Sequence, residues 1–199
     1  MTITADQVKA LRDQTGAGFM ECKAALAQAN GDVEEATTIL RKRGLAQAAK
    51  RAGRSTGQGT IGSYVHLGGK IGVLVEVNCE SDFVARTDDF QTLAKELAMQ
   101  IAAASPQYVR REDVPADVLE REKGISRAQL EGSNKPPQVI EKIVEGKLGS
   151  FYEQMVLVDQ PSIRDPKTTV SQLIQAAIAK VGENITVARF ARFKLGEGA

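Results

Sequence analysis

Between residues 4 and 44 the apolar positions recur every three or four residues, in three short runs. Thr4 and Gln7 fit a capping box ahead of a first helix whose apolar stripe is Val8 and Leu11. Gly16-Ala17-Gly18 breaks that helix. Phe19 or Met20 opens a second, carrying Cys22, Leu26 and Ala29 at helical spacing, and Gly31 suits its C-terminal cap. Asp32 with Glu35 fits a further capping box, and Val33, Ala36, Ile39 and Leu40 form the inner face of a third helix expected to end near Gly44. Three helices in about 40 residues make a marginal core, which suits a docking module.

The period then changes from three-to-four to two. Ile61, Ser63, Val65 and Leu67 alternate with Gly62, Tyr64 and His66, and Ile71, Val73, Val75 and Val77 alternate on the return. Gly68-Gly69 between them is expected to make a two-residue turn, and His66 to sit on a partly solvated face. Thr87-Asp88-Asp89 starts an amphipathic helix with one clean face of Phe90, Leu93, Ala94, Leu97 and Ile101, stopped by Ser105-Pro106. The charged middle suggests an exposed helix from about Ala116 to Leu130 and another from about Gln138 through Ile143, followed by a segment around Phe151. A short strand is expected around Met155, Leu157 and Val158. Thr169 caps a last helix with Val170, Leu173, Ile174, Ala177, Ile178 and Val181 on its buried side, and Ile185 to Leu195 is β-branched and aromatic enough for a strand. The fold class is α+β, an antiparallel sheet with helices on one side. The domain organisation expected is a helical module at 1–44, a basic and Gly-containing linker at 45–58, and an α+β core at 59–199.

Composition narrows the function more than the fold. The 199 residues are 42% hydrophobic and 26% charged, and 26 Lys plus Arg against 25 Asp plus Glu leave a net charge of +1. That balance gives no global pull toward nucleic acid or an anionic membrane. No stretch approaches the roughly 20 apolar residues of a membrane span. Met1-Thr2-Ile3-Thr4-Ala5-Asp6 lacks a basic region followed by an apolar one, so no secretory leader is visible. The cytosol is expected, or an organelle after loss of a transit peptide. Cys22 and Cys79 are far apart, and His66 is the single histidine. Metal-ligand spacings are therefore absent, and histidine-based acid–base or nucleophilic chemistry is disfavoured. Neither Gly69-Lys70 nor Gly146-Lys147 ends a phosphate-binding loop. No cofactor, metal site or catalytic residue is expected.

Two features remain. Residues 41–54 hold Arg41, Lys42, Arg43, Lys50, Arg51 and Arg54 and no acid, which reads either as a solvated linker or as a phosphate-contacting patch. Asp82-Phe83 lies in the short connection between a strand and a helix, where a large aromatic either tucks into the core or waits for a partner.

Asn78-Cys79-Glu80-Ser81-Asp82-Phe83-Val84-Ala85 resembles the N-C-x-T-D-F-V-A signature of the elongation factor Ts family. Leu11-Arg12-x-x-Thr15-Gly16-Ala17-Gly18-x-Met20-x-Cys22-Lys23-x-Ala25-Leu26 looks like its N-terminal signature, with Asn30-Gly31-Asp32 at the family spacing. Ile140 to Leu148, Gly182-Glu183-Asn184-Ile185 and Arg192-Phe193-x-Leu195-Gly196-Glu197-Gly198 are also similar, in order along nearly the whole chain. The resemblance implies a guanine nucleotide exchange factor for elongation factor Tu, without covalent chemistry. It implies that the N-terminal module is similar to a ubiquitin-associated domain and docks on the GTPase. Leu11, Phe19 and Met20 are then candidate docking residues. Asp82 and Phe83 would disturb the GTPase's magnesium site, with Ser81 and Val84 shaping their loop. Ser81 stands where the family usually has Thr, which preserves a hydroxyl able to cap the turn. One copy of the sheet-and-helix core resembles the short members that dimerise, so a homodimer through the sheets is expected. Two rivals stand beside this reading: an adaptor whose function resides in residues 1–44, and an RNA-binding protein using the 41–54 cations.

Overall fold

The computed structural model describes residues 3–133 and 135–197; Met1, Thr2 and Gly198, which belong to the sequence reading, lie outside these described residues. Helix α1 (Ala5–Thr15) opens with the expected capping box: Gln7 N–H donates to Thr4 Oγ1 while Gln7 Oε1 accepts from the Thr4 N–H. It ends on Gly16 at φ 67°, a left-handed cap that favours glycine. Helices α2 (Phe19–Gln28) and α3 (Val33–Arg51) complete the N-terminal module. Their common core is Val8, Leu11, Cys22, Ala25, Leu26, Ala29 and Ala36, with Ile3, Ala17, Ile39 and Leu40 packed at its margin.

Helix α3 does not end near Gly44, so residues 45–51 are helix rather than linker. Gly44 instead serves packing. A methyl group there would lie 3.3 Å from the Ala179 side chain, so the glycine admits a close neighbour in mid-helix. The basic run gains a structural account as well. Lys50 and Arg51 occupy the last turn, where cations complement the negative end of the helix dipole. Arg43 donates to Gln28 Oε1 at 2.7 Å and Arg54 pairs with Glu80 at 3.4 Å.

Strands β1 (Gln58–Val65) and β2 (Ile71–Cys79) form the hairpin, and β3 (Ile185–Lys194) completes a three-stranded antiparallel sheet of order β1-β2-β3. His66 N–H donates to the Ile71 carbonyl, so the loop is the four residues 67–70 rather than two, with Gly68 and Gly69 both at positive φ. The alternation on β1 has an unexpected sense. Gly62 and Tyr64 are half-buried, whereas Ile61, Val65 and Leu67 face solvent. On β2 the expected Val73, Val75 and Val77 are buried. His66 is exposed and its Nδ1 lies 3.0 Å from the Tyr64 hydroxyl.

Beyond the hairpin lie the single turn α4 (Asp82–Ala85) and α5 (Asp88–Ala104), whose Phe90, Leu93, Ala94, Leu97 and Ile101 are all buried as the spacing requires. Helices α6 (Ala116–Ala128) and α7 (Pro137–Met155) pack against each other, tied by Arg127 to Glu141 at 3.0 Å. The strand expected at 155–158 is absent. Helix α7 continues to Met155, Val156 makes only an isolated bridge with Tyr108, and Leu157–Asp159 is a 3-10 turn. The backbone there bonds to a short segment rather than to a sheet, Leu157 N–H donating to the Tyr108 carbonyl at 2.9 Å and Val158 N–H to the Val109 carbonyl at 3.2 Å. Two buried amides hold the residues that follow: Gln100 Nε2 donates to Gln160 Oε1 at 3.1 Å, and Gln100 Oε1 accepts from Ile163 N–H at 2.9 Å. Helix α8 (Val170–Val181) precedes β3.

The chain forms two compact units. One comprises Met1–Ile61, Glu76–Ala94 and Gln172–Val187, and the other Gly62–Val75, Lys95–Ser171 and Ala188–Ala199. Among the described residues no helix is long and apolar enough to cross a membrane, and no group of three or more His, Cys, Asp or Glu side chains could hold a metal ion.

Candidate functional site at the β2–α4 turn

Strand β2 delivers the chain to the site through Cys79, a fully buried residue whose thiol donates to the Ser81 carbonyl at 3.1 Å. Burial pushes the Cys79 thiol up from its ordinary range, and the Glu183 carboxylate adds to that shift. The backbone then turns against Glu183. Glu183 Oε2 accepts from the N–H groups of Glu80 and Ser81 at 3.1 and 3.0 Å, and its Oε1 accepts from the Ser81 hydroxyl at 2.6 Å. Ser81 Oγ in turn accepts from Val84 N–H at 3.3 Å and so caps α4.

A single helical turn cannot direct four side chains inward, and its composition decides which ones point out. Val84 and Ala85 are each only 6% exposed, packed beneath the turn. Phe83 is 77% exposed. Of the two positions left open by the sequence, the aromatic takes the outward one. Asp82 is exposed beside it and accepts from Arg86 at 2.7 Å. The far side of the turn is fastened too. Thr87 Oγ1 donates to the Val84 carbonyl at 2.8 Å and Gln91 Nε2 to the Ala85 carbonyl at 2.6 Å. An exposed aromatic and an exposed carboxylate thus stand on a turn whose backbone is held from both ends. Among the described residues no group of three or more His, Cys, Asp or Glu side chains gathers at this tip. The tip can insert into, or press on, another molecule.

The three residues expected to dock divide. Met20 is 70% and Phe19 47% exposed at the start of α2, so both can meet a partner. Leu11 is fully buried in the three-helix core, because it lies on the same stripe as Val8; its side chain holds the module together and offers no docking surface.

Sequence reading missed three residues that build the site. Glu80 Oε1 accepts from Asn184 N–H at 2.7 Å, and Asn184 Nδ2 donates to the Arg54 carbonyl at 2.8 Å. With Glu183 they join the β2–α4 turn to the start of β3. Gly182-Glu183-Asn184 was visible only as a motif, since nothing in one sequence marks an acid a hundred residues away as the acceptor for a loop.

A family model described as "Elongation factor TS" matches residues 2–197. The chain is 59% identical over 198 residues to a protein of Geobacter sulfurreducens named "Elongation factor Ts", covering 100% of this chain and 92% of that protein. It is 61% identical over 197 residues to the protein of that name from Fervidobacterium nodosum, covering 99% and 100%. The Thermosipho melanesiensis protein of the same name is 58% identical over 195 residues, covering 98% and 100%.

Proposed function

The chain belongs to the elongation factor Ts family, and on that premise we propose that it is a guanine nucleotide exchange factor for elongation factor Tu. It binds the GDP-loaded GTPase and promotes GDP release during translation elongation, in the cytoplasm and without covalent chemistry. The observation that carries this reading is the outward Phe83, 77% exposed on a turn held by Glu183, Thr87 and Gln91.

In this mechanism residues 1–44, with α3 running on to Arg51, form a docking domain similar to a ubiquitin-associated module. Phe19 and Met20 supply its contact. The remainder, 59–199, is the exchange core. The Asp82-Phe83 tip enters beside the nucleotide site and displaces the magnesium ion, with Ser81 and Val84 fixing its shape. A nucleoside diphosphate is held largely by its magnesium ion and by backbone donors around its phosphates. Phe83 can offset the distortion it causes, because burying an exposed aromatic is favourable by about 1.5–3 kcal/mol. Asp82 brings negative charge toward the phosphates and competes for the cation. Tight binding to the distorted, empty GTPase weakens nucleotide binding by the same factor, by linkage. Neither nucleic acid nor membrane is contacted. The exchange core pairs with a second copy through the open face of its sheet.

The test is release of a fluorescent GDP analogue from purified elongation factor Tu. Catalytic amounts of the chain should accelerate release many-fold, and fragment 1–44 alone should not. Release unchanged by the full chain would remove the proposal, and activity retained by the fragment would transfer it to the adaptor reading.

A further inference from the structure

We propose that Glu183 is the positioning residue of the exchange tip: it fixes the Ser81 hydroxyl as a cap and so holds Asp82 and Phe83 in their outward register. The inference rests on the exchange reading above and adds to it a residue distant in sequence. One carboxylate receives three donors, the N–H groups of Glu80 and Ser81 on Oε2 and the Ser81 hydroxyl on Oε1. A serine hydroxyl has one proton and two lone pairs. With its proton committed to Glu183 at 2.6 Å, Oγ must present a lone pair to the Val84 N–H, which is the geometry a helix cap requires. Glu183 therefore chooses the role of the Ser81 side chain.

The turn depends on that choice. A four-residue helix has almost no intrinsic stability, because nucleation costs more than one or two hydrogen bonds return. The grip is reciprocal: Asn184 N–H donates to Glu80 while the Glu80 N–H donates to Glu183. Asn184 is only 2% exposed, and its amide is bonded to the carbonyls of Arg54 and Ala52. The base that carries Glu183 is thus fixed. A tip that must press an aromatic into another protein loses efficiency if it first has to be ordered. Loosening it should reduce the rate at which bound complexes eject GDP, and leave initial docking through Phe19 and Met20 in place.

The experiment compares Glu183→Ala, Glu183→Gln, Ser81→Ala and Phe83→Ala in the full chain by release of the fluorescent GDP analogue across a range of factor concentrations. Glu183→Ala should lower the maximal release rate about fivefold or more while shifting the half-saturating concentration less than about twofold. Glu183→Gln keeps an oxygen for the two N–H groups, but its amide nitrogen can only donate to Ser81 Oγ and no longer takes the hydroxyl proton. It should therefore recover part of the rate and fall between the native chain and Glu183→Ala. Ser81→Ala removes only the hydroxyl and should fall in the same direction as Glu183→Ala. Maximal release unchanged in Glu183→Ala overturns the inference. So does a parallel loss of rate, docking and thermal stability that Glu183→Gln does not restore. If Glu183→Ala does not fold, Ser81→Ala decides: a lowered maximal rate supports the inference and an unchanged one overturns it. Phe83→Ala separates the two levels. If it exchanges normally, the tip reading itself fails; if it is impaired while the Glu183 and Ser81 variants are not, only the present inference fails.

Discussion

Phe83 and Cys79 sit four residues apart and answer to opposite physical demands. Phe83 leaves 77% of its surface in water, so little folding free energy depends on its ring. Phe83→Ala should change stability by no more than about 0.5 kcal/mol and lower GDP release by about tenfold, the factor set by ~1.4 kcal/mol. Thermal melting beside the release assay checks both, and a variant that unfolds would place the ring in the core. Cys79 is the reverse case. Its folded-state thiol is pushed up by burial and by Glu183, so the native state favours the protonated form over the unfolded chain, where a thiol titrates near about 8.5. Its contribution is fully present below that unfolded value and is lost as pH rises through the folded one. Urea midpoints of the native chain should fall more between pH 7 and pH 10 than those of Cys79→Ala. Equal slopes would dismiss the coupling. Alkylation of Cys79 in the native chain should be slow for the same reason, since the thiolate is the nucleophile.

The elements differ in how far local chemistry determines them, and two glycines of the hairpin illustrate it. At Gly59 an added methyl would stand 2.2 Å from the Val77 carbonyl oxygen and 2.8 Å from the Asn78 Cα, both backbone atoms of the neighbouring strand. At Gly72 nothing lies within 4 Å. Gly59→Ala should cost about 2–3 kcal/mol because the strands must part, while Gly72→Ala should stay within about 1 kcal/mol; chemical denaturation of the two variants distinguishes them, and equal losses would refute the packing argument. In the sequence Gly59 sits at the edge of the expected linker and Gly72 within an expected strand, and nothing local sets their tolerance apart. The same limit explains what was legible elsewhere. The Thr4–Gln7 box, the α5 face and the β2 alternation rest on neighbours in sequence and emerged as expected. Gly44 looked like a helix stop because its reason for being glycine is Ala179, far along the chain. The stretch after Met155 looked like a strand because β-branched residues fit one, but its backbone meets Tyr108 and Val109 at an isolated bridge and passes at once into a 3-10 turn, so no ladder extends. At the site, the Ser81 cap and the tip residues were readable, whereas the outward choice of Phe83 and the acceptor role of Glu183 depend on tertiary contacts.

For the whole molecule, the side of the sheet to which Val65 points carries the remaining argument. Val65 is 69% and Phe193 68% exposed, and Leu74 is 49% exposed. The strand register brings them together. His66 pairs with Ile71 and Leu195 with Lys70, so Val65 and Phe193 flank Gly72 across the three strands, with Leu74 two residues along the same face. Leu67 and Leu195 are also exposed where the strands end. Single exposed apolar residues need no explanation, but a cluster on one sheet face does. A second copy is the occupant proposed above, because two such faces are complementary by symmetry and pack as a two-layer sandwich. Phe193→Asp would place a charge within the apolar cluster of each layer and, since the side chain is solvent-facing in one chain, should spare the fold. Sedimentation at micromolar concentration should report two chains for the native protein and one for Phe193→Asp, with circular dichroism unchanged. The open face could instead be covered by the GTPase. In that case the native chain sediments as a monomer and forms a one-to-one complex with elongation factor Tu, and Phe193→Asp weakens that complex. The single-core chain would then act alone, and its sheet would be a second contact with the partner rather than a contact with itself.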